Sequence, residues 1–511
     1  MIDGVYGDIA SENPNADRVH AFEDAQSLMI HTTRLSQAQN LASLALFRSA
    51  IRREPGNALA WYNSGVCENI FGQTQKALEA YRRTLQLDPL NEGGLFNGAE
   101  TIRVHEYFEE ALILALRIEA FYPDLPQGYH NAAICLAHLE RHDEADWHFK
   151  KAIALSADSN LIKWEYHHSL LGRKRFVEAW DAYSTRFACG HVVGVDDMAI
   201  ELPDWTDQSL KGQHLVVYGE QGLGDQIMYA SMFAELETSG AKISLLTNAP
   251  LAPLFAANFP KMTVMSIGNG LDVAQCASAI AELGRSKPVT LRIAMGSLMS
   301  RFRNDISQFP GKAYLSPSHE AQYYWNSAIA SDDAVASLFT PSRKTAPILR
   351  VGLVWASNPA PERFFSSRRA RNKTMPLSVM SELATVPGVS ACSLTNVPLN
   401  MFEGADEARE AGIVDVANHL TDLDRTAALI QRLDLVITVD TSIAHLAGAL
   451  GKPVWLLLHN LGDVRWGQRG ETKSYWYDSM QIWWQNRPGD WPELIERVKI
   501  GLANKAQQSD V

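Results

Sequence analysis

Two short stretches carry the residue types that chemistry needs. The first is Gly219-Glu220-Gln221-Gly222-Leu223-Gly224-Asp225, which follows the apolar run HLVVY at 214–218. Its glycines, Gly222 and Gly224 among them, let a backbone turn sharply and approach a ligand closely. Asp225 begins the helix expected beyond. A carboxylate there can draw a proton from an attacking hydroxyl, or simply cap the helix, and the motif alone favours the cap. Glu220, five residues earlier, is a second carboxylate able to act as the base. The other stretch, Val439-Asp440-Thr441-Ser442, leads from the apolar run LVITV into a helix bearing His445 and Gly448. Thr441, Ser442 and His445 share one face at its N-terminus, where unpaired N–H groups and the helix dipole attract a phosphate; capping is the competing role. Neither stretch is GxGxxG and no acidic residue is placed for a ribose, so a dinucleotide dehydrogenase is not predicted. No DxD-like pair and no His/Cys cluster occurs, so neither a metal nor a cofactor is expected.

The elements that position these turns read as strands alternating with helices. HLVVY, ISLLT (243–247) and TVMSI (263–267) form one series. ILRVGLVWA (348–356), VSACSL (389–394), LVITV (435–439) and PVWLLL (453–458) form another. Helices are expected from about Gln226 to Glu237, around Thr426 to Leu433, and from Ser442 to Leu450. Alternation of this kind predicts parallel, doubly wound sheets, hence two Rossmann-like lobes joined near residues 330–347. Ligands in such sheets sit at the carboxyl ends of the strands, where both glycine- and threonine-bearing turns fall.

The first third follows a different rule. Pro55, Pro89 and Pro123 are 34 residues apart, as are Ala77, Ala111, Ala145 and Ala179. Four residues after each alanine stands Tyr81, Ala115, Phe149 or Tyr183, and Trp61 with Gly65 adds the first-helix half of one repeat. This is the tetratricopeptide (TPR) skeleton: a small residue lets two helices approach, an aromatic fills the gap, and proline ends the second helix. About five repeats are predicted between residues 24 and 193. Asn63, Asn97 and Asn131, again 34 apart, line up as a ladder of amides that either grips a protein acceptor in the groove or satisfies neighbouring helix ends.

At 511 residues the chain is too long for one core. A net charge of −12 argues against general affinity for nucleic acid or anionic membrane. Five scattered cysteines without metal or CxxC spacing predict free thiols in a reducing compartment. The opening residues have neither a basic nor an apolar leader region, and the most apolar stretch, 435–458, is interrupted by Asp440, His445 and Lys452, so no membrane span is expected. The expectation is a cytoplasmic protein.

GEQGLGDQIMYA, VGLVWASNP, LDLVITVDTSIAHLAGALGKPVWLLL and DVRWGQRGETKSYWYDSM together resemble the successive blocks of TPR-linked glycosyltransferases. Their catalytic half is similar to the ADP-heptose:lipopolysaccharide heptosyltransferases of the GT-B fold. The resemblance covers roughly residues 200–500, and its most diagnostic block is VDTSIAHLAGALGKPVW. It implies an α + α/β protein, a TPR α-solenoid followed by a GT-B domain of two Rossmann-like lobes. The expected divisions are an extension (1–23), the array (24–193), a linker (194–213), an N-lobe on the acceptor side (214–340) and a C-lobe on the donor side (341–511). The resemblance implies an inverting, metal-independent transferase that moves a sugar from a nucleotide-sugar to a protein Ser or Thr, flagellin being one acceptor of such proteins. Asp225 would be its catalytic base. Asp440, Thr441, Ser442 and His445 would hold the donor with Gly222 and Gly224, and Lys373 would place a cation on its phosphate. The preceding PERFFSSRRARNK is longer than the family pattern, and reads as a phosphate-binding flap or a solvated loop. A lipid or polysaccharide acceptor, and a non-catalytic scaffold, are the alternatives.

Overall fold

The computed structural model describes residues 37–189, 202–268, 273–339, 349–356 and 373–508. The predicted extension 1–23, part of the linker and the basic stretch before Lys373 lie outside the described residues. The chain divides into two compact units, Met1–Ser169 and Leu170–Val511.

Helices α1 (Gln37–Arg53) to α8 (Asn160–Gly172) alternate in pairs: α2 (Ala58–Ile70), α3 (Thr74–Leu87), α4 (Glu92–Val104), α5 (Phe108–Phe121), α6 (Pro126–His138) and α7 (His142–Leu155). First helices begin at 58, 92, 126 and 160, a constant step of 34. The small residues act as the spacing predicts, for Ala77, Ala111 and Ala145 are wholly buried, and a Cβ on Gly65 would stand 2.7 Å from the Tyr81 ring. Pro55, Pro89 and Pro123 fall just beyond α1, α3 and α5. The turn inside each repeat uses a left-handed residue, at Gly72 (φ 68°), Glu106 (70°) and Glu140 (60°). There the following N–H closes a wide loop back onto the first helix, as from Gln73 to the Glu68 carbonyl at 2.8 Å and from Arg141 to Leu136 at 2.9 Å.

The second unit opens with α9 (Phe176–Tyr183), which continues the 34-residue step, and a single turn at Ser184–Arg186. Two parallel sheets follow. The first has the order β3-β2-β1-β4, from β1 (His214–Tyr218), β2 (Lys242–Thr247), β3 (Met262–Ser266) and β4 (Leu291–Ala294). The second has the order β6-β5-β7-β8-β9, from β5 (Leu349–Val354), β6 (Val389–Ser393), β7 (Leu435–Val439), β8 (Val454–Leu458) and β9 (Met480–Trp484). Strands covered on both faces must be apolar throughout, and β1, β7 and β8 are buried at every residue. The C-lobe core joins Val351, Leu353, Leu435, Ile437 and Leu457 to Leu494, Val498 and Leu502 of the closing helix Trp491–Gln508. Strand order reverses beside β1 and beside β5, which puts each lobe's crevice at the turns singled out in the sequence.

The helix expected from Gln226 to Glu237 begins earlier and breaks. Helix α10 (Leu223–Ala230) ends at Ser231, and Phe233–Glu237 is a separate helix. The freed Ser231 carbonyl accepts from the buried Arg303 guanidinium at 3.0 Å. The C-lobe turn leads into α11 (Ser442–Ala449), which packs on α10 and so joins the two lobes. No described helix is long and apolar enough to cross a membrane. None of the five cysteines forms a disulfide, and only Cys189 is more than marginally exposed.

Candidate functional site

The glycine turn after β1 is held from beneath. A Cβ on Gly219 would meet the Gln226 Oε1 at 2.5 Å, so only glycine lets the buried Gln226 amide tie the turn to Thr247 (2.8 Å) and Asn248 (2.9 Å). Glu220 points into the protein and is fully buried. Its carboxylate takes a fork of bonds from Arg186, at 2.8 and 2.7 Å, and the Gly296 N–H at 2.6 Å. With both oxygens engaged away from the cleft, Glu220 is not available as the base. Gln221 adopts φ 59° and donates to the Tyr183 hydroxyl at 2.6 Å.

That scaffold aims Asp225. Gly222 is the N-cap of α10, and its N–H donates to Asp225 Oδ2 at 3.1 Å, so the capping role is real. The other oxygen, Oδ1, is left for the cleft, where it pairs with Arg465 of the C-lobe. Gly224 has a different duty. A Cβ there would lie 2.8 Å from His445 Cδ2 and 3.2 Å from the Ser442 Cα, so its hydrogen is what lets α10 and α11 touch.

On the C-lobe side, Asp440 leaves β7 almost completely buried and pairs with Lys373. Burial works against its charge, but the Lys373 ammonium and the Arg465 guanidinium outweigh this, and its carboxyl is held below the usual range. Lys373 also lies 3.7 Å from Asp463, and Arg465 Nε stands 3.0 Å from the same Asp463. Thr441 is the N-cap of α11 in extended conformation, without a side-chain cap bond; its hydroxyl lies 3.0 Å from that of Thr438. Thr441 and Ser442 are both half-buried. His445 does not face out with them. It is buried, its Nδ1 is 3.0 Å from the Tyr477 hydroxyl, and its ring stacks on Trp466 with centroids 4.7 Å apart. Burial, helped by the Arg465 charge, pushes its pKa down to about 4. A neutral imidazole wedged between lobes orients α11 and carries no positive charge for a phosphate.

Along the same carboxyl edge, beyond β6, lies an open depression of about 710 Å³ lined by Asn396, Pro398, Asn400, Arg409, Asp415 and Asn418 among others. Sequence reasoning missed it, for its amides come from an irregular loop with no spacing rule. Arg465 and Asp463 were also missed as individual residues. Their signal was present in the DVRW block, but only the fold shows which carboxylate the arginine reaches.

In the helical unit, Asn97 donates to the Tyr62 hydroxyl at 3.0 Å, Asn131 is buried, and Asn63 is half-buried. One member of the amide ladder thus serves a neighbouring helix. Among the described residues, no group of three or more His, Cys, Asp or Glu side chains is arranged to hold a metal ion.

The family described as glycosyltransferase family 9 (heptosyltransferase) matches residues 403–474, the stretch holding Asp440, Thr441, His445 and Arg465. Protein FlbA of Caulobacter vibrioides is 27% identical over 416 residues, covering 78% of this chain and 64% of that protein. The chain thus spans under two thirds of that relative's length. Among solved structures, the glycosyl transferase family 9 protein of Veillonella parvula aligns over 59% of this chain and 99% of its own, at 13% identity and a TM-score of 0.42. The E. coli ADP-heptose lps heptosyltransferase II aligns over 58% of this chain and 100% of its own, at 14% identity and a TM-score of 0.40. With the 34-residue helical pairs and the two parallel sheets, the family 9 match makes this chain similar to a heptosyltransferase-like glycosyltransferase carried behind tetratricopeptide repeats.

Proposed function

We propose that the chain transfers a sugar from a nucleotide-sugar to a hydroxyl of a protein acceptor, with inversion and without a metal. The observation that carries this reading is Asp225 Oδ1. It is an oxygen left over from helix capping, at the crevice of one lobe, opposite Lys373 and the N-terminus of α11 on the other. In the reaction the acceptor oxygen bonds to the anomeric carbon as the bond from that carbon to the donor phosphate oxygen breaks. The acceptor's proton passes to Asp225, and the electron pair leaves with the phosphate. Lys373, Thr441 and the first N–H groups of α11 meet that charge, and Asp440 fixes Lys373. The depression beyond β6 suits the nucleoside. The helical repeats favour a protein over a lipid as acceptor, since stacked repeats present an extended groove; a Ser or Thr of flagellin is the acceptor to try first.

The test begins with thermal shift against a panel of nucleotides and nucleotide-sugars, and continues with transfer assays on Asp225→Asn. That change keeps the size and a capping oxygen but removes the base. Transfer should fall by roughly a hundredfold to ten-thousandfold while the melting temperature hardly moves. No stabilisation by any nucleotide, or full transfer by the variant, would sink the reading; transfer to a lipid-linked glycan but no protein would replace the acceptor.

A further inference from the structure

Arg465 sits on a fixed backbone and holds its charge between two lobes. Asp463 caps the turn Val464–Trp466, accepting the Arg465 N–H at 3.2 Å, and also takes the guanidinium at 3.0 Å. Gly467, at φ 96°, closes the turn behind it, and Trp466 is wholly buried against His445. From that base the guanidinium reaches across to Asp225 of the N-lobe.

The charge balance of the cleft is unusual. Asp225, Asp440 and Asp463 face Lys373 and Arg465, and the neighbouring His445 is neutral above about pH 4. These described groups carry one net negative charge at the place proposed for the donor phosphate. Beyond the first N–H groups of α11, an entering anion gains a full positive charge only by taking a cation from its carboxylate. Lys373 is shared by two carboxylates of its own lobe. Arg465 alone among these groups spends its charge on the proposed base.

We propose that Arg465 is a positioning residue that couples donor binding to release of the base. In the structure its guanidinium pairs with Asp225 Oδ1. A donor phosphate draws the guanidinium off, and Asp225 is then free to accept the hydrogen bond, and later the proton, of the acceptor hydroxyl. The base is thereby engaged only when a donor is present. This rests on the transferase reading of the same cleft.

The experiment is a double-mutant cycle on the full chain, with inorganic pyrophosphate and ADP as probes and titration calorimetry as the readout. Removing the competing carboxylate should release Arg465 to the anion, so Asp225→Asn should bind pyrophosphate about tenfold more tightly than wild type. Arg465→Gln should bind it about tenfold more weakly, and the double variant should match Arg465→Gln. Arg465→Lys keeps the charge and should stay within about threefold of wild type, which serves the test if the glutamine variant unfolds. The coupling is disproved if Asp225→Asn binds no tighter than wild type. It is equally disproved if the tightening persists undiminished with Gln at 465, since that would be plain charge repulsion. If no form binds either probe, the donor-site reading itself fails, and the coupling with it.

Discussion

At the scale of single residues, His445 shows how burial converts a familiar phosphate ligand into a spacer. Its ring is enclosed by Trp466, Tyr477 and the bare face of Gly224, with Arg465, Asp440, Asp225 and Asp463 close enough to act on its charge. A histidine whose folded pKa is about 4, against an ordinary 6.5, is protonated by the unfolded chain first. Its contribution is therefore intact above pH 6.5 and drains away as pH falls towards 4, by about 3 kcal/mol in all. His445→Gln should lose stability at pH 7.5 yet lose less than wild type on going to pH 4.5, measured by urea unfolding at both. Comparing the two proteins cancels His130, which burial likewise pushes down to about 4. Parallel losses in the two proteins would mean that His445 keeps its proton when folded. The sequence put Asp225, Asp440 and Thr441 at strand-to-helix turns, because glycine and threonine turns advertise themselves. It could not show the direction of His445, since one helical face at a lobe junction serves solvent and core equally well.

At the scale of elements, the glycine loop after β1 depends on a helix that the repeat spacing assigns elsewhere. Tyr183 occupies the aromatic position of the fifth repeat, yet its hydroxyl meets Tyr229 at 2.7 Å and Gln221 at 2.6 Å. Three residues on, Arg186 packs 4.1 Å over the Tyr183 ring and 4.0 Å over Phe187 while gripping Glu220. Both charges are sealed from water, so removing one strands the other. Glu220→Gln should cost about 3–5 kcal/mol in urea unfolding, whereas Arg186→Met combined with Glu220→Leu should recover at least half of that. Equal losses in the single and double variants would mean that the pair's shape, and not its charge, is what the loop needs. Strand β1 was legible to the residue, because a short strand buried on both faces shows as a compact and mostly apolar run. Strands β4 and β9 were not: LRIA is short and carries Arg292, and MQIWW alternates like an edge. The turn residues Glu106 and Glu140 were hidden too, since a left-handed turn is written plainly only where it carries glycine, as at Gly72.

At the scale of the molecule, the place to cut the chain follows from the same contacts. The array was expected to run to residue 193, but the compact division falls at Ser169, and Trp180 of α9 donates to the Arg303 carbonyl at 2.6 Å inside the second unit. A chain starting at Leu170 should fold, bind nucleotide and hydrolyse donor slowly, while losing transfer to the protein acceptor. One starting at residue 194 loses Arg186 and should be unstable or insoluble; circular dichroism melts and the transfer assay decide both. Full transfer by the chain starting at Leu170 would leave the repeats without a docking role. The two-lobe plan was legible because alternation of strand and helix is a long-range rhythm; the seam was not, because one repeat signature fits a helix in either unit. The cysteines add something practical. Cys67, Cys135, Cys276 and Cys392 are buried, and burial pushes the Cys135 and Cys392 thiols up to about 12. At neutral pH a maleimide dye therefore meets Cys189 first. That thiol lies three residues past Arg186, so the native chain offers a one-site fluorescent label beside the arginine that braces the glycine loop after β1, with no other cysteine replaced.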